Sequence, residues 1–181
     1  MIPRFVVHYQ GFVPDMPKRV YNDVQREAFR GMGVKWHRDY LMKHFTHAGA
    51  TEYGYRPRQG DRQSPTDRSF RRTYTGRKLR RYGHTYPLVL TGLSRAQART
   101  RDVRATRTGV RVVLHMPPYF SFYRRLHGGT NMYEELSTIS EPERLALIAE
   151  FDRGMDEGLN RVSYSRRAQV AAQSAVAAAG L

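Results

Sequence analysis

Three groups of side chains in this sequence have types and spacings that could do chemistry. His37, His44 and His47 lie close together in the chain, and a His-x-x-His pair can hold a metal ion from a helix end. The pair has no third ligand in register. A surface or helix-capping role is therefore expected for His44 and His47, with no bound metal or other cofactor. Asp23 and Glu27 stand four apart, a spacing that suits two metal-binding carboxylates, but Arg19, Arg26 and Arg30 flank them and predict ordinary surface pairing at i,i+4. The third group is the stretch FRRTYTGRKLRRYGHTYPLVLTG, residues 70–92. In it Arg71, Arg72, Arg77, Lys78, Arg80 and Arg81 alternate with Tyr74 and Tyr82. Guanidinium and ammonium groups can bind phosphate oxygens, and interleaved tyrosines can stack on bases or riboses.

The charge totals support the third group over the others. Formal net charge is +15 in 181 residues, and residues 56–111 hold sixteen Lys and Arg against three Asp, which is +13 of that total. A field concentrated in this way attracts polyanions. Without a zinc finger, basic zipper, RNP aromatic motif or helix-turn-helix beside it, contact with DNA would be to the backbone and salt-sensitive. The chain has no cysteine, so disulfides, thiolate metal sites and thiol nucleophiles are excluded. It also has no phosphate-cradling Gly-rich loop, no dinucleotide fingerprint and no Gly-x-Ser-x-Gly elbow, and the expectation is a protein that is not an enzyme. No apolar run is long enough to span a bilayer and the start lacks a secretory-signal pattern, so a soluble, cytoplasmically folded protein with no membrane contact is expected.

The elements that must position the basic stretch are partly legible. Ile2 to Tyr9 reads as a strand. Tyr21, Val24, Ala28, Met32, Trp36 and Tyr40 recur every three or four residues after Pro17, predicting an amphipathic helix that ends by about His47, and Gly31 and Gly33 predict a kink or a close helix contact near Met32. Residues 46–86 show little periodicity and predict a long extended excursion or loop with at most a short helix, with 56–86 a basic arm inserted in the domain. Pro87–Leu90 and Gly109–Met116 read as strands, and 94–107 as a short helix or a hairpin arm. Ser140, Pro142 and Glu143 make a capping-box start for a helix whose stripe is Leu145, Ile148, Phe151, Met155 and Leu159. The predicted fold class is α+β: a small antiparallel sheet packed against a long N-terminal helix and a C-terminal helix. Residues 1–160 form the domain and 161–181 an Ala-rich tail that takes a partner surface to order.

The order YGHTYPLVLTGLSRA, then GVRVVL, then YFSFYRRLHGG, then a Ser-Glu-Pro-Glu helix start resembles the tailed-bacteriophage virion morphogenesis group, the neck, tail-completion and tail-terminator-like proteins of the head-tail joint. Pro87, Leu88, Thr91, Gly92 and Leu93 carry the resemblance, with Tyr123, His127 and Gly128, and it spans residues 17–160. Ser94 stands where the family often has a basic residue, and the segment 56–81 is longer than a minimal member needs. The resemblance implies a structural virion protein at the head-tail interface, assembled in the host bacterial cytoplasm. Such a protein forms a homo-oligomeric ring around the DNA conduit and contacts other neck, connector or tail proteins. On that reading the six basic residues face genomic DNA or an adjacent ring, and Tyr119, Phe120, Phe122, Tyr123, Val170 and Val176 are subunit-interface candidates. The alternative is a free, non-sequence-specific DNA-binding protein. A metal-dependent nuclease built on His37, His44 and His47 is the third reading.

Overall fold

The computed structural model describes the backbone of residues 4–5, 17–120 and 131–178, and the side chains of 17–120 and 131–163. Helix α1 (Lys18–Lys35) starts where the Pro17 carbonyl accepts from the backbone N–H groups of Val20 and Tyr21, at 2.9 and 3.2 Å. Its inward face is Ala28, Phe29, Met32 and Gly33. The helix runs unbroken through both glycines. Gly33 instead permits a close contact, because a Cβ there would lie 2.7 Å from Val110 and 3.1 Å from Val103 in the sheet below. The irregularity comes later, as a π-helical turn (Trp36–Tyr40) followed by a 3₁₀ turn (Leu41–Phe45). Trp36 and Leu41 are five residues apart, and the wider turn brings both fully into the core. Thr46 then caps the short α2 (His47–Glu52) by accepting from the Gly49 N–H at 3.0 Å.

The sheet is small and antiparallel. Strands β2 (Arg101–Thr106) and β3 (Gly109–Leu114) form a hairpin in which Val103 faces Val112 and Ala105 faces Val110. The two-residue β1 (Arg4–Phe5) pairs with the other edge of β3, giving the order β1-β3-β2. Alternation on β3 buries Val110 and Val112 under α1 and leaves Arg111 exposed. Both candidate readings of 94–107 are realised, since α4 (Leu93–Gln97) precedes β2. Pro87–Leu90, however, is not a strand. Leu88 has φ 54°, and its carbonyl accepts from the buried Ser94 hydroxyl at 2.7 Å, so the run is a tight turn anchored by the core. The apolar character of Leu88 and Val89 signalled burial without signalling extension.

After α5 (Met132–Ser137), helix α6 (Glu141–Ala178) begins with one of the two bonds of the expected capping box, the Ser140 backbone N–H donating to Glu143 Oε2 at 3.2 Å, while the Ser140 hydroxyl donates to Glu52 at 3.3 Å. The expected stripe holds at Phe151, Met155 and Leu159, but Leu147 takes the inward place expected for Leu145. Leu147, Phe151 and Met155 are buried, whereas Leu145 is 56% exposed. The backbone of α6 continues without a break from the domain into the Ala-rich stretch. Helices α1 and α6 pack closely: Gly158 sits where a Cβ would approach Val24 within 2.4 Å, and the Phe29 and Phe151 ring centroids are 4.6 Å apart. The architecture is α+β, with the hairpin and the two long helices enclosing one apolar core.

Candidate functional site: a cleft and a cationic face on one segment

The basic segment is folded onto the body. Phe70, 4% exposed, anchors a 3₁₀ turn (Phe70–Arg72), and Thr73 then caps helix α3 (Tyr74–Tyr82). The Thr73 hydroxyl donates to the Phe70 carbonyl at 2.6 Å and accepts from the Gly76 N–H at 3.1 Å. Residues three apart on this helix share a face, so Thr75 and Lys78 point inward while Arg77, Arg80 and Arg81 point to solvent. The expectation of a projecting extended arm is thus corrected. A run that looks uniformly cationic in sequence is divided by helical periodicity into two sites.

The outward site comprises Arg71, Arg72, Arg77, Arg80 and Arg81, all exposed. Among the described residues none of the five forms an ion pair with a carboxylate. The interleaved tyrosines do not offer open rings beside them. Tyr74 is half-buried in the cleft wall, and Tyr82 lies under the Arg81 guanidinium, 5.5 Å from its ring centroid, with the His84 ring centroid 6.3 Å away.

Lys78 belongs to the inward site, which corrects its expected place among the DNA- or ring-contacting residues. It is 5% exposed, its ammonium donates to the Tyr86 carbonyl, and it lies 5.9 Å from the Tyr74 ring centroid. Burial pulls its pKa down to about 8, Asp61 opposing and Arg58 adding to the shift. It lines a cleft of about 670 Å³ between the α2 end, residues 55–65, α3 and the 85–90 turn. The opposite wall is held by Arg58, whose Nη1 and Nη2 donate to the two oxygens of Glu135, the first at 2.8 Å. Burial works against the Arg58 charge, but the Glu135 carboxylate overrides it and the guanidinium is held above its ordinary value. Asp61 ties the walls together by accepting from the Arg58 N–H at 2.6 Å and the Thr75 hydroxyl at 2.5 Å.

Behind the cleft lies a closed polar cluster. His44, fully buried, stacks on Tyr53 with centroids 3.9 Å apart and rings within 3° of parallel, and its Nδ1 shares a hydrogen bond with the Tyr55 hydroxyl. Burial lowers the His44 pKa to about 4, so the ring is neutral at pH 7. The surface or capping role expected for it is wrong, because its neighbour Phe45 and the tyrosines carry it into the interior. Tyr53 donates to Glu143, whose carboxyl is raised by burial even though this hydroxyl and the Ser140 N–H favour its charged form. Both groups lie out of reach of a substrate and act as braces.

The other histidines are separately engaged. His37 Nε2 donates to the Ala98 carbonyl at 2.8 Å while its Nδ1 accepts from Arg101 at 3.3 Å, a neutral tautomer that burial favours by lowering the pKa. His47 meets the Thr85 hydroxyl at 3.0 Å. Among the described residues no group of three metal-binding side chains assembles. Asp23 and Glu27 pair on the surface with Arg26 and Arg30 at 3.2 and 4.0 Å, three residues apart in each case rather than the expected four.

Of the family-like motif, Leu88 is core, Pro87 lines the cleft, Gly92 has φ 84° at the start of α4, and Thr91 and Leu93 are exposed. Among the interface candidates, Phe120 is 1% exposed and packs edge-on against Tyr133, so it is a core residue. Tyr119 is half-buried and lines the cleft. Phe122, Tyr123, His127 and Gly128 lie outside the described residues, as do the side chains of Val170 and Val176. Sequence reasoning missed Tyr53, Tyr55, Arg58, Asp61 and Glu135. Only Glu143 had a local signal, its place in the capping box, whereas Arg58 and Glu135 meet across 77 residues of chain. No protein-family model, curated protein or solved structure matches this chain.

Proposed function

We propose that this protein is a structural component of a tailed-bacteriophage head-tail joint, assembling as a homo-oligomeric ring around the DNA conduit and joining the rings above and below. One observation carries the reading. Five exposed arginines without an ion-paired carboxylate among the described residues are presented by a locked turn and helix, in the third of the chain that holds +13 of the +15 net charge. Repeated around a ring, such a face would bind genomic phosphates or an acidic neighbouring ring without reading bases. The engagement of Tyr74 and Tyr82 fits that reading better than a single-strand binder, which needs open aromatic platforms. The helix α6 extends the same argument, because its Ala-rich end has few large apolar groups to bury alone and would dock on a neighbouring subunit.

Electron microscopy of the purified protein and assembly with R77E/R80E/R81E test it together. Rings should form, and the charge-reversed variant should stay folded but fail to join heads to tails. Monomers that bind DNA tightly at physiological salt would replace this reading with a free DNA-binding protein. Normal infectious particles carrying the variant would remove the role assigned to the cationic face.

A further inference from the structure

The inward site has a feature that the ring reading does not use. An ammonium group has three N–H donors. For Lys78 the Tyr86 carbonyl takes one, and among the described residues no carboxylate lies within ion-pair distance of it. Asp61 is close enough to influence the charge, but its two oxygens are engaged by Thr75 and by the Arg58 backbone. Arg58 itself is committed to Glu135. Of the charged side chains lining the cleft, Lys78 and Arg62 form no ion pair among the described residues, and Asp61 is the one carboxylate among the lining residues in a space of about 670 Å³. Part of the remaining wall is apolar, with Phe70, Leu88, Val89 and Met132 buried beside it, and hydroxyl groups of Thr75 and Thr85 line the rest with Gln63. A buried cation with one of its three donors bonded among the described residues is unfavourable unless something supplies the missing charge.

We propose that this cleft is a binding site for an oxyanion, in which the Lys78 ammonium holds the carboxylate or phosphate group of a small organic acid whose apolar part rests on Phe70, Leu88 and Met132. The volume suits a small-molecule ligand, and convergent polar groups in a mostly apolar concavity are what such sites share. The depressed Lys78 pKa is consistent with a site lacking its counter-ion, since an anion on the ammonium would raise it. The site is independent of ring assembly, so either proposal can fail alone.

The test is thermal unfolding of the full chain at pH 7 and constant ionic strength, with sodium chloride replaced stepwise by sodium phosphate and, in a second series, by sodium succinate. At least one series should raise Tm along a saturating curve. K78M, which keeps the buried stem and removes the charge, should weaken that affinity by about tenfold to a hundredfold, as expected for a charge-assisted hydrogen bond. R107Q, which removes an exposed charge at the β2–β3 turn far along the chain from the cleft, should leave it unchanged. Saturation by phosphate assigns the site to phosphate esters, and saturation by succinate to carboxylates. A second readout is the wild-type Lys78 side-chain NMR resonance, whose pKa should rise on adding the saturating anion. Asp61, Arg58 and His84 are the charged or titratable groups that act on Lys78 or are acted on by it, and their resonances are followed alongside. Linear curves in both series, equal saturation in K78M, or a Lys78 resonance indifferent to the anion would each overturn the site.

Discussion

Between α1 and α6 the buried surface is almost entirely carbon, whereas between α2, α3 and α5 it is crowded with nitrogen and oxygen. The first region packs Phe29, Met32 and Trp36 of the N-terminal helical run with Phe151 and Met155, each at most 1% exposed. The second buries His44, Glu143, Lys78, Thr75 and Glu135, and joins them through Tyr53, Tyr55, Arg58 and Asp61. Apolar contact is non-directional and tolerates repacking, and its strength depends little on pH or salt. A buried polar network is directional, and removing one member leaves another unsatisfied. The body thus supplies stability, and the segment carrying the cleft and the cationic face is held in place by interactions that pH and substitution can break.

The largest effect should come from the carbon side. F151A removes a ring packed on Phe29 and should cost about 4 kcal/mol in urea unfolding, with the same loss at pH 5 and pH 8. A loss that changed strongly with pH would show the two regions to be one coupled network. Next is R58A, which strands the Glu135 carboxylate at 11% side-chain exposure and should cost about 3 kcal/mol. The double variant R58M/E135L should recover most of it, because no charge is then left unpaired. If the double variant were no better than the single, the pair would contribute stability in its own right.

The smallest of the three is an acid effect. His44 has its pKa lowered by burial to about 4, against an ordinary value of 6.5. A lowered folded-state pKa means that the stability it contributes is complete above pH 6.5 and is lost as pH falls toward 4. H44F keeps a ring on Tyr53 but cannot titrate. It should flatten the stability profile between pH 6.5 and 4 by an amount on the order of 2 kcal/mol relative to wild type. Parallel profiles for the two proteins would place the acid sensitivity elsewhere in the segment.

Legibility followed the same division. The carbon region announces itself through period: Val24, Ala28 and Met32 mark α1, and Ser140 with Glu143 marks the start of α6. Even there the π-helical turn at Trp36–Tyr40 shifted the phase, and Leu147 rather than Leu145 faces inward, because local pattern does not reveal which of two neighbouring leucines meets α1. The polar region had no period to read. Thr73, Tyr74 and Thr75 look like loop residues until the Thr73 hydroxyl is seen closing the first turn of α3, and Pro87–Leu90 looks like a strand until Leu88 is seen in the left-handed region.

By itself the sequence determined the α+β class, the absence of thiol chemistry, and the concentration of positive charge in residues 56–111, since composition and short-range spacing are properties of the chain before it folds. Which cations face water and which line a cleft was decided only in three dimensions. Lys78 and Arg77 are neighbours with the same charge, yet a rotation of about 100° per helical residue turns one inward and the other out. The partner that allows Arg58 to be buried arrives from 77 residues further along the chain.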